Sequence, residues 1–143
     1  MEPAVRILVV DDFKPWLDFL NKFFEQKNGM IIVGTALDGP EAILQAQALQ
    51  PDLILMDVNL PRLSGIEATR EIIRLLPDAK ILFVSQYRET AMVQTAIAAG
   101  GYGYVLKLDA GSELVPAMAA VAQGKRYFSR GLLGLELNET KEM

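Results

Sequence analysis

Apolar runs recur along the sequence, and four of them end directly before an acidic, hydroxyl or basic residue. If these runs are parallel β-strands, their carboxyl ends meet at one edge of one sheet, where open α/β sheets bind their ligands. Three acids, a hydroxyl and an ammonium gathered there would form a site for a divalent metal and a phosphoryl group. The runs are Val5–Val10, Asp52–Met56, Lys80–Val84 and Tyr102–Leu106, and the residues that follow them are Asp11 and Asp12, Asp57, Ser85 and Lys107, respectively.

The alternation of strand-like and helix-like segments predicts the fold class. All but the second of the strand-like segments are continuously apolar, as expected for strands that are covered on both faces. Five successive βα units predict an α/β fold in which a five-stranded parallel sheet has helices on both faces. The strands are predicted over Arg6–Val10, Met30–Thr35, Leu53–Met56, Ile81–Val84 and Tyr102–Leu106.

Turn and capping residues place the helices between these strands. The first helix has Pro15 in its opening turn and Gly29 after its end, and the second lies between Asp38 and Pro51. Breakers and a Ser N-cap place the remaining helices at Ile66 to Leu76, Thr90–Ala99 and, behind Ser112, Glu113–Gln123.

The composition excludes several classes of function. A chain of 143 residues that is 51% hydrophobic predicts one domain with a substantial core, and its net charge of −4 argues against direct binding to DNA or anionic membranes. The sequence has no Cys and no His, which excludes disulfides, the usual zinc sites and His-based acid–base chemistry. It has no signal-peptide pattern and no apolar run of membrane-spanning length, so we expect a soluble, cytoplasmic protein.

Asp57 is the most informative of the polar residues. It ends the most apolar run of the chain and precedes a loop, Val58–Gly65, whose turns are fixed by Pro61 and Gly65. A carboxylate at the mouth of a buried strand is costly unless it is paired, and neighbouring carboxylates raise one another's pKa values. Mg²⁺, which prefers oxygen ligands, would relieve that repulsion.

Each polar residue also has a simpler interpretation when it stands alone. Asp11 and Asp12 could be turn and capping residues, Ser85 a helix cap, and Lys107 a solvated surface charge. Their joint position at the ends of predicted parallel strands favours a common site over these separate roles.

The combined pattern resembles the receiver domain of bacterial two-component response regulators. The resemblance covers residues 5 to about 123, and the stretches Ala99–Ala110 and Gly124–Leu132 are most similar to the NarL/FixJ subfamily, in which a receiver precedes a LuxR-type helix-turn-helix domain. It implies a flavodoxin-like (βα)5 fold with strand order 2-1-3-4-5. The residues that carry it are Asp11, Asp12, Asp57, Ser85, Tyr104 and Lys107.

The resemblance implies a phosphoacceptor and a metal site. Asp57 would accept a phosphoryl group from a sensor histidine kinase. Asp12 and Asp57 would bind Mg²⁺ directly, Asp11 would act mainly through water, and the backbone carbonyl of Asn59 would complete the protein ligands.

The resemblance also implies a switch. The Ser85 hydroxyl would move toward the phosphate, and the Tyr104 ring would turn inward to fill the space that the hydroxyl leaves. The Lys107 ammonium would bridge Asp57 to the phosphate.

The segment after Lys107 departs from the family pattern. Many receivers have a cis-Pro directly after this Lys, whereas this chain has Leu108. The subfamily often reads Lys-Asp-Ala at this point, and the stretch Lys107–Ala110 is one residue longer. We therefore expect the connection between the fifth strand and the fifth helix to differ from that of its relatives.

The domain organisation follows from where the periodic pattern ends. Residues 1–124 are predicted to form the receiver domain, and residues 125–143, which show no clear core face, a linker or C-terminal tail. An output DNA-binding domain is absent from this chain, so it is either the N-terminal portion of a longer regulator or a single-domain receiver that acts through protein–protein interaction.

The predicted function is that of a phosphorylation-activated switch that controls dimerisation or a DNA-binding output domain, with at most intrinsic autophosphorylation and autodephosphorylation. A homodimer could form through the aromatic face of the first helix (Trp16, Phe19, Phe23) and the Ala-rich fifth helix (Ala117, Ala119, Ala120), or through the fourth helix and the fifth strand. DNA would be reached only through an output domain.

Three other functions would need different residues at these positions. A haloacid-dehalogenase-like phosphatase needs a general acid two residues after its nucleophilic Asp, and Asn59 occupies that position. A nucleotide-binding module needs a Gly-rich or hydroxyl-rich phosphate loop, whereas Asp11–Pro15 would repel a phosphate. A pseudo-receiver would lack acidic residues that this chain retains.

Overall fold

The computed structural model describes residues 4–132 and shows one parallel sheet with helices on both faces. The sheet has six strands in the order β2-β1-β3-β4-β5-β6, and every neighbouring pair is parallel. The elements are β1 (Val5–Val10), α1 (Lys14–Glu25), β2 (Met30–Ala36), α2 (Gly39–Leu49), β3 (Leu53–Met56), α3 (Gly65–Leu75), β4 (Ile81–Ser85), α4 (Thr90–Ala98), β5 (Gly103–Leu106), α5 (Ala110–Ala122) and β6 (Tyr127–Phe128). The flavodoxin-like fold and the strand order 2-1-3-4-5 are thereby confirmed.

The strands are apolar throughout because helices cover both faces of the sheet. Alternate residues of each strand point into different cores: Ile7 and Val9 lie under α1 and α5, whereas Leu8 and Val10 lie under α2, α3 and α4. The central strand β3 is buried along its whole length. This rigid centre fixes the position of Asp57, which follows β3 directly.

Two differences from the sequence prediction lie around the fifth helix. Helix α5 begins at Ala110, three residues before the predicted start, because a 3-10 turn over Lys107–Asp109 leads directly into it. Ser112 is therefore not the N-cap; its hydroxyl donates to the carbonyl of Asp109 at 3.4 Å. Leu108 lies in that turn with 78% of its surface exposed, and none of the peptide bonds in the described part of the chain is cis.

The second difference is β6, a strand that the sequence prediction did not include. Tyr127 and Phe128 pair with β5 in parallel, and an added Cβ atom at Gly103 would lie 2.5 Å from the Tyr127 carbonyl oxygen. Glycine at position 103 thus permits the close approach. The buried hydroxyl of Ser129 accepts the Leu106 amide at 3.1 Å, and Leu132 is buried in the core. The first part of the predicted linker, up to residue 132, packs on the sheet, and residues 133–143 lie outside the described residues.

Among residues 4–132, no helix combines the length and the apolar character that a membrane span would require.

Candidate functional site

The carboxyl ends of β1 and β3 bring three carboxylates together. Ligand oxygens of Asp11, Asp12 and Asp57 all lie within 4.8 Å of one another. Asp11 and Asp57 are buried, whereas Asp12 is exposed at the mouth of the site. The sequence predicted this cluster, because each acid directly follows an apolar strand or its first loop residue.

Both oxygens of Asp11 have partners in the site. Oδ1 accepts the backbone N–H of Phe13 at 2.9 Å, which fixes the turn that leads into α1. Oδ2 lies 2.8 Å from the ammonium nitrogen of Lys107. Asp11 thus connects the first turn of α1 with the side chain that directly follows β5.

The Asp57 carboxylate is held under electrostatic strain. Its Oδ1 accepts the backbone N–H of Val58 at 2.9 Å, and its Oδ2 lies 3.9 Å from the Lys107 nitrogen. Burial, followed by the charge of Asp11, raises the pKa of the Asp57 carboxyl to about 7, although Lys107 acts in the opposite direction. A group that favours the ionised form of Asp57 therefore gains from binding beside it.

The residues of the cluster fit a hard divalent cation. Three carboxylates with closely spaced oxygens and one ammonium leave an excess of negative charge, and oxygen ligands are those that Mg²⁺ prefers. A cavity of about 280 Å³ opens beside them and is wide enough for a phosphoryl group. It is lined by Asp12, Phe13, Asp57, Asn59, Gln86, Tyr87 and Lys107.

Ser85 and Tyr104 lie apart from this cavity lining and meet at Tyr87. Both side chains are fully buried. The Ser85 hydroxyl accepts the backbone N–H of Tyr87 at 3.1 Å, and the Tyr104 hydroxyl donates to the Tyr87 carbonyl at 2.7 Å. The Tyr104 ring stacks on Phe83 with centroids 6.2 Å apart, and burial raises the pKa of the Tyr104 phenol to about 12. The ring already occupies an inward position in this structure.

Sequence reasoning missed two groups of the site. Tyr87 links Ser85 to Tyr104 through its backbone, which no side-chain pattern could reveal. Phe13 and Trp16 lie over the Lys107 ammonium, with ring centroids 6.0 and 5.2 Å from Nζ. The sequence could have indicated that these two rings lie near the site, because both residues closely follow β1, and β1 ends at the edge of the sheet that carries the acids.

The sequence matches the family "Response regulator receiver domain" over residues 7–119. It is 36% identical over 125 residues to the response regulator GacA of Pseudomonas viridiflava, covering 87% of this chain and 58% of GacA. It is 32% identical over 137 residues to the transcriptional regulatory protein LiaR of Bacillus subtilis (strain 168), covering 96% of this chain and 65% of LiaR. The chain thus spans less than two thirds of the length of either relative.

A solved structure resembles nearly the whole chain. The two-component response regulator of the LuxR family from Aurantimonas sp. SI85-9A1 superimposes with a TM-score of 0.89 at 32% sequence identity. The match covers 98% of this chain and 99% of that one.

Proposed function

Because the chain belongs to the response regulator receiver domain family, with transcription regulators of the NarL/LuxR type among its relatives, we propose that it is a phosphorylation-activated switch. Asp57 accepts a phosphoryl group from a sensor histidine kinase in the cytoplasm. The observation that carries this proposal is the buried Asp57 carboxylate, which lies beside Asp11 and is faced by the Lys107 ammonium in a cavity that is open to solvent.

The acidic cluster is the place for Mg²⁺ in this proposal. Asp12 and Asp57 bind the ion directly, Asp11 acts mainly through water, and the backbone carbonyl of Asn59 adds a further ligand. The close spacing of the carboxylate oxygens and the position of Asn59 on the same cavity support this set. When bound, the metal neutralises charge that builds up between the carboxylate and the phosphoryl oxygens.

Lys107, Ser85 and Tyr104 translate phosphorylation into a change of shape. The Lys107 ammonium, 3.9 Å from Asp57, is within reach of a phosphoryl oxygen on that residue. A Ser85 hydroxyl that turned toward the phosphate would give up the Tyr87 amide, and Tyr104 bonds the carbonyl of that same residue. The loop after β4 therefore carries the switch.

Incubation with acetyl phosphate and Mg²⁺ is expected to add the mass of one phosphoryl group to the protein. The addition should disappear with EDTA and in Asp57→Asn, because the reaction depends on charge neutralisation and on this carboxylate. Intact-mass spectrometry measures both. Asp78→Asn, which changes an exposed carboxylate elsewhere on the surface, serves as the matched control and should react like the parent.

Two outcomes would contradict the proposal, the first in this experiment and the second in a separate hydrolysis assay. One is an Asp57→Asn variant that gains the mass at the parent's rate. The other is sustained turnover of p-nitrophenyl phosphate, which would indicate a haloacid-dehalogenase-like phosphatase. We expect no such turnover, because Asn59 cannot serve as a general acid.

The output of the switch is dimerisation, which would bring two output domains to neighbouring DNA half-sites. The face that supports this is on α1, where Phe19 is 40% exposed and stacks on Trp16. On α5, Ala119 and Ala120 reach the surface, whereas Ala117 is buried and cannot contribute. The competing face on α4 is the alternative.

Phe19→Asp is expected to weaken dimerisation in Mg²⁺ and beryllofluoride by at least about tenfold, because a carboxylate would be buried at the interface without a partner. Sedimentation velocity measures the change. Ala91→Asp, on the exposed surface of α4, is the matched variant for the competing face and should dimerise like the parent. Normal dimerisation of Phe19→Asp together with weakened dimerisation of Ala91→Asp would assign the interface to α4.

A further inference from the structure

The Lys107 ammonium lies close to two acids and two aromatic rings. It contacts Asp11 Oδ2 at 2.8 Å and lies 3.9 Å from Asp57 Oδ2. It also lies over the ring of Trp16, with the centroid 5.2 Å away, and over the ring of Phe13 at 6.0 Å. The Lys107 side chain is only 20% exposed, so the rings replace much of the water that would otherwise surround the charge.

The contact between Lys107 and Trp16 is an attractive one. A cation within about 6 Å of a ring centroid is drawn to the negative face of the ring, and Trp is the strongest partner among the aromatic side chains. A Lys side chain carries a strongly hydrated ammonium on a flexible four-carbon stem. Without such a contact, the ammonium would sample positions away from the carboxylates. The indole therefore restricts the ammonium to the space above Asp11 and Asp57.

The backbone of α1 holds Trp16 in this place. The Trp16 amide donates to the Phe13 carbonyl at 3.0 Å, and the Phe13 amide donates to Asp11 Oδ1 at 2.9 Å. The same carboxylate thus fixes the helix turn that carries the ring and, through its other oxygen, the ammonium that lies over the ring. The indole also stacks on Phe19, with ring centroids 5.2 Å apart.

We propose that Trp16 is a positioning residue for phosphoryl binding: its indole face keeps the Lys107 ammonium where an incoming phosphoryl oxygen can capture it. This inference rests on the proposed function. Binding of the phosphoryl group draws the ammonium away from Asp11 toward the new anion, while the ammonium stays in contact with the indole. Trp16 is the only tryptophan in the sequence, so its fluorescence reports that movement without interference from another indole.

The first test compares affinities for beryllofluoride in saturating Mg²⁺, measured from the rise in melting temperature in dilute protein. Trp16→Leu should weaken binding about threefold to tenfold, as expected for the loss of one partly buried cation–π contact. Trp16→Phe, which keeps an aromatic face, should lie between Trp16→Leu and the parent. Affinity for Mg²⁺ alone should stay within about twofold of the parent in both variants, because Lys107 meets the phosphoryl analogue and not the metal.

The matched control is Phe23→Leu. It removes another contact between a Lys and an aromatic ring: Phe23 lies on α1, and the Nζ atom of Lys27, which follows the end of that helix, is 4.6 Å from its ring centroid. This contact lies away from the acidic cluster. The variant should bind beryllofluoride like the parent. An equal loss in Phe23→Leu and Trp16→Leu, or a parallel loss of Mg²⁺ affinity in Trp16→Leu, would assign Trp16 a general structural role and overturn the proposal.

The second test is the emission of Trp16 itself. The spectrum of unliganded Lys107→Met should differ from that of the parent, because the cation over the indole is gone. Beryllofluoride should shift the spectrum of the parent. Identical spectra of Lys107→Met and the parent would overturn the proposal. A parent that fails to bind beryllofluoride would overturn the proposed function and this inference with it, whereas normal binding by Trp16→Leu would overturn this inference alone.

Discussion

Asp57→Asn is expected to stabilise the metal-free protein at pH 8 by about 2–4 kcal/mol while it removes the proposed phosphoacceptor. The parent carboxyl has a pKa raised from 3.8 to about 7 because it is buried beside Asp11. A shift of this size corresponds to about 4 kcal/mol at most, at 1.36 kcal/mol per pKa unit. The amide that replaces the carboxylate carries no charge, so most of this unfavourable free energy is relieved.

The stability difference between Asp57→Asn and the parent should depend on pH in a definite direction. Above pH 7 the carboxyl is ionised in both the folded and the unfolded chain, so the full cost of burying the charge is present. As the pH falls from 7 toward 4, the folded state takes up a proton that the unfolded state does not, and the parent regains stability. The advantage of Asp57→Asn should therefore shrink between pH 8 and pH 5.

Urea unfolding in EDTA at pH 8 and pH 5 measures this effect. Addition of Mg²⁺ at pH 8 should stabilise the parent more than the variant, since a ligand that binds only the folded state raises the free energy of unfolding. Asp12→Asn, which changes an exposed carboxylate of the same cluster, is the control and should change stability much less. Equal stabilities of parent and Asp57→Asn at pH 8 would contradict the placement of Asp57 in a buried, repulsive site.

Gly65→Ala is expected to destabilise the protein by about 3 kcal/mol or more and to slow phosphorylation. Gly65 is the first residue of α3, and its amide donates to the Val58 carbonyl at 2.8 Å. An added Cβ atom would lie 1.8 Å from the Asp57 carbonyl oxygen, which no side-chain movement can relieve. The loop that carries Asp57 would have to shift, at the cost typical of severe overpacking.

Gly111→Ala provides the matched control for this prediction. Gly111 lies in the first turn of α5, and among the described residues nothing that packs against it comes within 4 Å of an added Cβ. Alanine there should be neutral or stabilising by about 0.4–1 kcal/mol, because it restricts the unfolded chain. Urea unfolding and the rate of mass gain with acetyl phosphate compare the two variants. A Gly65→Ala protein as stable as the parent would show that α3 does not approach Asp57 this closely.

The sequence predicted the acidic cluster well because its logic is topological. Asp11, Asp57 and Lys107 each follow an apolar run, and parallel strands bring such positions to one edge whatever the details of packing. The start of α5 was harder to predict, since Ser112 offers a capping hydroxyl directly before the predicted helix. In the structure, the 3-10 turn at Lys107–Asp109 leads directly into α5, so the helix begins before Ser112 and closer to β5 than this capping signal indicates.

The features that sequence reasoning missed depend on tertiary contacts. β6 has only two residues, too few for any periodicity, and it exists because Gly103 leaves room and Ser129 supplies a hydrogen bond. In the sequence, the aromatic residues of α1 indicate only an apolar face of the helix. Only the packed helix shows that Trp16 faces a cation, because helical periodicity alone does not say what lies across from a side chain.

The short strand β6 also determines where the described part of the chain ends. A chain that ended its last secondary structure at α5 would depart from the opposite end of the sheet, far from Asp57. β6 instead returns the chain toward the carboxyl edge of the sheet, because it is parallel to β5. There the Gly131 amide donates to the Asp109 carboxylate at 3.1 Å, and the Gly131 carbonyl accepts from the Arg88 guanidinium at 2.9 Å. Leu132, the last residue that the structure describes, is therefore held beside the loop that carries the proposed switch, so a small displacement of that loop would act directly on this point of the chain.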